Sequence, residues 1–532
     1  MARGDGNPNQ VFERALAALN AGDLDRAARE ARKLAKIAPT AADAWSLRAA
    51  IAGRMGQHGD ARKFLGRALQ LKPGDPALLN NLGNACAELG DHADAVAYYE
   101  KSLVGRPGHV DTLMNLGNVL MELRYADAAA ARFEEVLRRS PGNAGARINL
   151  GSAHMLARRY AEALALFEGL LADGNDNVEV WTSIYNAQVA LGRLDAADRT
   201  LERLMKLAPD NPKVLVHVAI LHLLRERWAD GWRAYAARWL WKPGEARPFK
   251  QPWWNGEVLT GRKVLAWGEQ GLGDEIMFAA MIPDLAATAG SVLLECDQRL
   301  LSIFQRSFPA VDCVARANPP APETRAGDID YQVPTGNLGI WFRANAQSFG
   351  DGTPFLKADL ARSEALAAKY RGGTDMPLIG IAWKSFNPDI GDLKSMRLEV
   401  LAPILATPGV QFFNLQYGET EEERVAFRQA SGVEILHDPD IEATRDIDGH
   451  AAQIAAMDLV ISISNTAVHL AGALGVETWC LIQNIADRRW LANRADSPWY
   501  RSLRLYRQRG LADWRGPVAD AAADLGEWVA KR

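Results

Sequence analysis

Three short segments of the chain carry residue types able to hold an anion or move a proton. The first runs from Gly268 to Glu275 and places Gly271 and Gly273 just ahead of Asp274. Glycines at a strand-to-helix junction permit tight turns and bring a ligand close to a helix N-terminus. Asp274 would stand at that helix start, where a carboxylate can take a proton from an acceptor hydroxyl; the alternative is a capping aspartate. The spacing fits neither the dinucleotide-binding nor the P-loop glycine pattern. The second segment, Gly380 to Ser385, ends a strand with Lys384, and Lys394 follows beyond a short loop. Two ammonium groups there would offset phosphate charge on a departing nucleotide, unless they lie solvated on the surface. The third, Ser462 to Gly475, runs a hydrophobic strand into Asn465 and Thr466, with His469 one helical turn on. Asn465 as N-cap leaves N–H groups pointing at an anion. His469 is either a ribose or phosphate contact or a packed histidine.

A different chemistry marks the first half, where Asn81, Asn84, Asn115, Asn118, Asn149 and Asn186 form a series. Pairs three apart share a helix face, and a carboxamide both donates to and accepts from a peptide group. Such a ladder would hold an extended polypeptide by its backbone. The competing reading is that these side chains satisfy neighbouring repeats.

The elements that must position these residues obey two different periods. Prolines at 39, 73, 107, 141, 209 and 243 are spaced by 34 or 68, and alanines recur at 27, 61, 95, 129, 163 and 197. Large residues come four positions after the alanines, as at Tyr99, Phe133 and Phe167, and Asn-Leu-Gly recurs from Asn81, Asn115 and Asn149. The unit is a helix pair: small residues let two backbones approach, the large side chain fills the gap, and proline ends the second helix. About seven units fit between residues 8 and 245. The segment 246–262, rich in Pro, Gly and Trp, breaks the period and reads as a linker. Trp228, Trp232, Trp239, Trp253 and Trp254 are sugar-stacking platforms or, more simply, cement between the repeat array and the next domain.

From Lys263 the chain alternates β-branched runs with amphipathic segments, as βα units on a parallel sheet do. Strands are expected at Val264–Trp267, Val292–Cys296, Ile329–Val333, Leu378–Trp383, Val410–Gln416, Leu459–Ile463 and Thr478–Ile482, with helices at Glu275–Ala287, Leu398–Ala406 and Ala451–Met457. A shift near Thr374–Pro377 divides two α/β lobes, 263–373 and 374–532. The fold class is therefore α + α/β. With 532 residues, 48% apolar and 24% charged, and a net charge of −4, the chain fits neither a membrane-embedded nor a disordered class. Its slightly acidic balance disfavours nucleic acid. Four separated cysteines without a CxxC pair read as thiols of a reducing compartment, not a disulfide frame or metal site. No secretory leader or membrane-inserting run is visible, so a cytoplasmic location is the expectation.

The 34-residue unit resembles the tetratricopeptide repeat, and its asparagine series is similar to that of the repeat array in O-linked N-acetylglucosamine transferases. The three segments near 274, 384 and 466, in that order, resemble the GT-B glycosyltransferases, most nearly the heptosyltransferase-like group, glycosyltransferase family 9. That resemblance spans roughly residues 262–510. It implies two Rossmann-like lobes, a nucleotide-sugar donor held by the second lobe, no metal or cofactor, and Asp274 as base. It also implies donor contacts from Gly271, Gly273, Lys384, Lys394, Asn465, Thr466 and His469. One departure stands out: Asn465 occupies the position of the group's aspartate. The combination, including Ser497–Tyr500 and Leu505–Gln508, looks like bacterial proteins that fuse such repeats to a transferase, among them flagellin-modifying enzymes that add a nonulosonic acid. The expectation is a protein O-glycosyltransferase that captures a polypeptide, with flagellin as the acceptor the resemblance suggests. Two alternatives remain open: an inactive adaptor scaffold, and a transferase acting on glycan or lipopolysaccharide.

Overall fold

A computed structural model describes residues 7–387, 390–484 and 487–532. The first six residues of the segment read for a leader lie outside the described residues. The chain forms two compact bodies, Met1–Arg203 and Leu204–Arg532.

In the first body, helices of 13 or 14 residues alternate from Pro8–Asn20 to Val178–Ala190. Their ends are written locally. Asp23 accepts the Arg26 N–H at 3.0 Å, and Asp75 accepts the Ala77 N–H at 2.9 Å beside Pro76 at the first helical turn. The helices Leu24–Ile37, His58–Leu71, His92–Gly105 and Ala126–Arg139 each stop two residues before the periodic proline. Within each pair the small residue is obligatory. A methyl group on Gly83 would lie 2.6 Å from the Tyr99 ring; on Gly117 it would lie 2.5 Å from Phe133, and on Gly151 2.4 Å from Phe167. Ala95, Ala129 and Ala163 are fully buried beneath them. The 34-residue period is thus a packing period.

The second body opens with three more helices, α1 (Pro212–Leu224), α2 (Trp228–Tyr235) and α3 (Arg238–Trp241). A four-stranded parallel sheet comes next, built from β1 (Lys263–Trp267), β2 (Ser291–Cys296), β3 (Asp312–Ala315) and β4 (Tyr331–Pro334) in the order β3-β2-β1-β4. Helix α4 (Leu272–Ala279) leaves the end of β1. A second parallel sheet comprises β5 (Leu378–Ala382), β6 (Gln411–Asn414), β7 (Ile435–Leu436), β8 (Leu459–Ile463), β9 (Thr478–Ile482) and β10 (Leu503–Arg507), ordered β10-β9-β8-β5-β6-β7. Helix α5 (Thr466–Leu474) connects β8 to β9. Strands β5, β8 and β9 are buried along their whole length, which explains their continuous apolar runs.

Several expectations shift in register or kind. The single helix expected at Glu275–Ala287 is two, α4 and Ile282–Thr288, because the chain breaks at Ala280–Met281 and Pro283 restarts it without an N–H. The helix expected at Leu398–Ala406 is a 3₁₀ turn and then Ala402–Leu405, again around a proline. The helix expected at Ala451–Met457 starts earlier, at Ile447, where Asp446 accepts the Gly449 N–H at 2.7 Å. Strands β3, β7 and β10 are additional to those the pattern predicts; β7 has only two residues to signal itself.

The Trp-rich segment 246–262 is not a free linker. The Trp254 N–H donates to the Gln332 carbonyl and the Gln332 N–H to the Pro252 carbonyl, both at 2.9 Å, so it lies along the edge of β4. Trp232 of α2 meets Phe278 and Trp499 edge-on, with 6.2 Å between ring centroids in each pair. Trp228 meets Phe349 at 4.6 Å, and Trp239 packs on Trp253 and Trp267. These tryptophans act as cement, joining α1–α3 to the first sheet.

Candidate functional site

The carboxyl edges of the two sheets are brought together by α4 and α5. Gly271 is the N-cap of α4 and Gln270 before it adopts a left-handed φ of 61°. The contact between the helices is set by one missing side chain: a methyl group on Gly273 would stand 2.8 Å from the His469 ring. Glycine at 273 therefore serves helix approach, and Asp274 beside it is carried into the seam.

Asp274 is 7% exposed. Its carboxylate receives Arg489 through Nε at 3.0 Å and Nη2 at 2.8 Å, and Arg488 through Nη2 at 3.2 Å. Asp487 takes the remaining Arg489 nitrogen at 2.6 Å. Burial by itself would raise the carboxyl pKa, but Arg489 and Arg488 outweigh it and hold Asp274 below its ordinary range. The same two arginines, against burial, hold Asp487 low. Lys394 lies buried nearby; burial lowers its ammonium pKa while Asp487 partly counters. Two carboxylates thus face three cations, which leaves one positive charge in the cluster.

The other expected residues fall around this cluster in different ways. His469 is 4% exposed, hydrogen-bonded through Nδ1 to the Tyr500 hydroxyl at 2.9 Å and stacked on Trp490. Burial, then Arg489, pushes its pKa down to about 3, so the imidazole is neutral. The packed-histidine reading describes it. Asn465 caps α5 by accepting the Ala467 N–H at 3.1 Å and the Ser462 hydroxyl at 3.2 Å. An aspartate would do the same work; the amide adds a buried Nδ2 donor that has no partner among the described residues. Thr466, the first residue of α5, is half-buried.

Lys384 departs from expectation. Its ammonium is held by Glu423 at 2.5 Å, and Glu423 also accepts from the Trp383 indole and the Leu398 N–H at 3.0 Å each. The Trp383 and Lys384 N–H groups both donate to Gln416. Lys384 fastens the loop after β5 instead of presenting a free charge, and Lys394 with Arg488 and Arg489 supplies the cations at the seam. Nothing in the glycine-loop or helix-start patterns points to these arginines. The available signal is the charged triplet Asp487-Arg488-Arg489 just after a buried parallel strand.

A cavity of about 430 Å³ lies at the carboxyl ends of β6 and β7, lined by Asn414, Gln416, Thr420, Arg424, His437 and Gln453 among others. It lies to one side of the point where the second sheet reverses order between β5 and β8, the place where open α/β sheets take ligands. Its carboxamides suit a group that both donates and accepts hydrogen bonds.

In the first body the asparagines join consecutive repeats. Asn115 Nδ2 donates to Asn84 Oδ1 at 2.9 Å, Asn149 Nδ2 donates to Asn118 Oδ1 at 2.8 Å, and the Tyr99 hydroxyl also donates to Asn84. Part of the capacity of these carboxamides is therefore spent within the array, two hydrogen bonds at Asn84 and one each at Asn115, Asn118 and Asn149, as the competing reading held. Asn81 and Asn186 are exposed. Asn81 and Asn84 border a groove of about 390 Å³ with a floor of Ala49, Ala61, Ala85 and Leu65. Among the described residues, no three His, Cys, Asp or Glu side chains are grouped to hold a metal ion, and no helix is long and apolar enough to cross a membrane.

Models of the tetratricopeptide repeat match residues 40–107, 120–184 and 154–221, and the helical array is built of these repeats. The chain is 32% identical over 364 residues to Protein FlbA of Caulobacter vibrioides, a match covering 65% of this chain and 60% of that protein. The chain thus spans about 60% of the length of this curated relative. Among solved structures it is similar to a tetratricopeptide repeat protein from Parabacteroides merdae, with 17% identity and a TM-score of 0.38 over 43% of this chain and 92% of that one. It is also similar to YrrB, described as a TPR protein with an unusual peptide-binding site, with 18% identity and a TM-score of 0.30 over 33% and 90%.

Proposed function

We propose that this chain is a GT-B glycosyltransferase that moves a sugar from a nucleotide-sugar donor to a Ser or Thr hydroxyl of a polypeptide captured by the repeats. Flagellin and a nonulosonic acid are the acceptor and sugar that the sequence resemblance suggests. One observation supports the reading above the others. Two parallel sheets meet at their carboxyl edges through α4 and α5, around a buried carboxylate and an excess of cations.

In this reading the donor phosphate lies at the start of α5, taking hydrogen bonds from its N–H groups, Thr466 and the unpartnered Asn465 amide. Lys394 and Arg489 stabilise the charge that develops on it. The base of the nucleotide occupies the cavity at β6 and β7. The acceptor hydroxyl attacks the anomeric carbon, the bond from that carbon to the phosphate oxygen breaks, and the phosphate leaves with the electron pair. The hydroxyl proton goes to Asp274. While two guanidiniums hold it, Asp274 is a poor base. A phosphate that draws Arg489 away returns the carboxyl toward its ordinary pKa and readies it for the proton.

The test is transfer of labelled sugar from UDP, GDP, ADP and CMP donors to a candidate acceptor, comparing wild type with Asp274→Asn. Undiminished transfer by the variant removes Asp274 from the base role. The occupied state of Asp274 equally favours a second reading, an inactive transferase fold serving as an adaptor. Thermal shift with the same donors separates the two, since an adaptor of that kind shows no response. Transfer to a saccharide after deletion of residues 1–203 would instead identify a glycan or lipopolysaccharide acceptor.

A further inference from the structure

Beside the Asp274 cluster, the second body contains another cavity, of about 500 Å³, which the mechanism above does not use. The end of β1 and the loop Gly268–Gln270 form one wall, and α1–α3 form another. Its charged lining comprises five cations, Arg238, Lys242, Arg247, Arg316 and Arg488, and two carboxylates, Glu245 and Glu269.

Three of the guanidiniums are fixed by buried carboxylates. Glu269 holds Arg238 at 2.9 Å, Glu295 holds Arg247 at 2.8 Å, and Glu275 holds Arg316. Arg488 is tied to the Tyr235 hydroxyl at 2.9 Å and to Gln270 at 3.0 Å. Side chains locked in this way lose little freedom when a ligand arrives. Two donors are left over: the Nε atoms of Arg316 and Arg488 are buried and have no partner among the described residues. These Nε atoms lie behind the cavity surface, and a ligand oxygen would instead meet the accessible part of each side chain, 28% of Arg316 and 13% of Arg488.

The rim argues for the size and kind of ligand. Trp241 borders the cavity with 44% of its surface exposed, and Leu240 next to it is 70% exposed. Large apolar side chains in water beside ordered guanidiniums suit a polypeptide segment, which buries apolar area at the edge while its carboxylate is recognised within. A small inorganic anion would leave that rim uncovered.

We propose that this cavity binds an acidic segment of a polypeptide, with a carboxylate donated to by Arg316 and Arg488 and an apolar side chain resting on Trp241. Under the transferase reading this segment flanks the modified hydroxyl, because Arg488 also reaches Asp274 at 3.2 Å. The recognition itself needs no sugar transfer.

The experiment is fluorescence anisotropy on the full chain without any donor. The probes are a fluorescein-labelled peptide alternating glutamate with leucine and its counterpart with glutamine. The acidic peptide is expected to bind at least tenfold more tightly. Trp241→Ala combined with Lys242→Glu, both at exposed positions, is expected to weaken it at least tenfold while the thermal unfolding midpoint stays in place. Failure of the acidic peptide to bind, equal binding of both peptides, or undiminished binding by the double variant overturns the proposal. An inactive transferase would still pass this test, so the two ideas fail separately.

Discussion

Gly273 and Asp274 are neighbours in sequence with opposite structural demands. Gly273 must be small, because a methyl group there would stand 2.8 Å from the His469 ring of α5. Gly273→Ala is expected to cost about 1–3 kcal/mol, the usual penalty for overpacking, read as a fall in the thermal midpoint. Asp274 must be charged. Asp274→Asn leaves two buried guanidiniums short of a counter-charge and is expected to cost about 3–5 kcal/mol. Asp274 and the neighbouring His469 also set the acid response. Asp274 is depressed in the folded state, so its stabilisation is complete above the ordinary carboxylate pKa near 4 and is lost as pH falls below it. His469 acts in a higher window. It stays neutral when folded down to about pH 3, whereas the unfolded chain takes up its proton near 6.5, so stability falls as pH drops from about 6.5. Urea unfolding of His469→Gln between pH 7 and 4 should show a shallower loss than wild type.

Among the elements, the repeats show how one residue type meets two needs. Asn84 with Asn115 and Asn118 with Asn149 bridge successive first helices, leaving the remaining donors and acceptors of each carboxamide for a bound chain. Asn118→Ala and Asn149→Ala are each expected to cost about 1 kcal/mol, and a double-mutant cycle should return a coupling of about 0.5 kcal/mol or more. A coupling near zero would mean that the two side chains do not act as a pair. The first sheet shows the converse case. Its edge is closed by a segment whose Pro, Gly and Trp content looks like a connector, and that composition hides the β4 pairing because the hydrogen bonds come from Trp254 and Gln332 backbone groups.

For the molecule as a whole, the boundary between the two bodies falls within the repeat period, at Arg203 and Leu204. Helices α1–α3 carry the last repeat signature yet place Trp228, Trp232 and Tyr235 in one apolar cluster with Phe278 and Trp499. A chain starting near residue 204 should therefore remain soluble and unfold cooperatively. One starting at 246 should aggregate, because it uncovers that cluster. Light scattering and calorimetry on the two truncations decide this.

The 34-residue period, the change to βα alternation and the parallel character of the sheets were all legible in the sequence, because each is a local rule of spacing: a glycine facing an aromatic, a proline ending a helix, an apolar run buried on both faces. The three segments around Asp274, Lys384 and Asn465 were legible for the same reason, as strand ends opening into loops or helices. Their partners were not. Arg488 and Arg489 on Asp274, Glu423 on Lys384 and Tyr500 on His469 lie 31 to more than 200 residues away along the chain. No local spacing encodes such pairs. Only the packing of one sheet edge against the other decides which charges are shared, which histidine is buried, and which donors are left for a ligand.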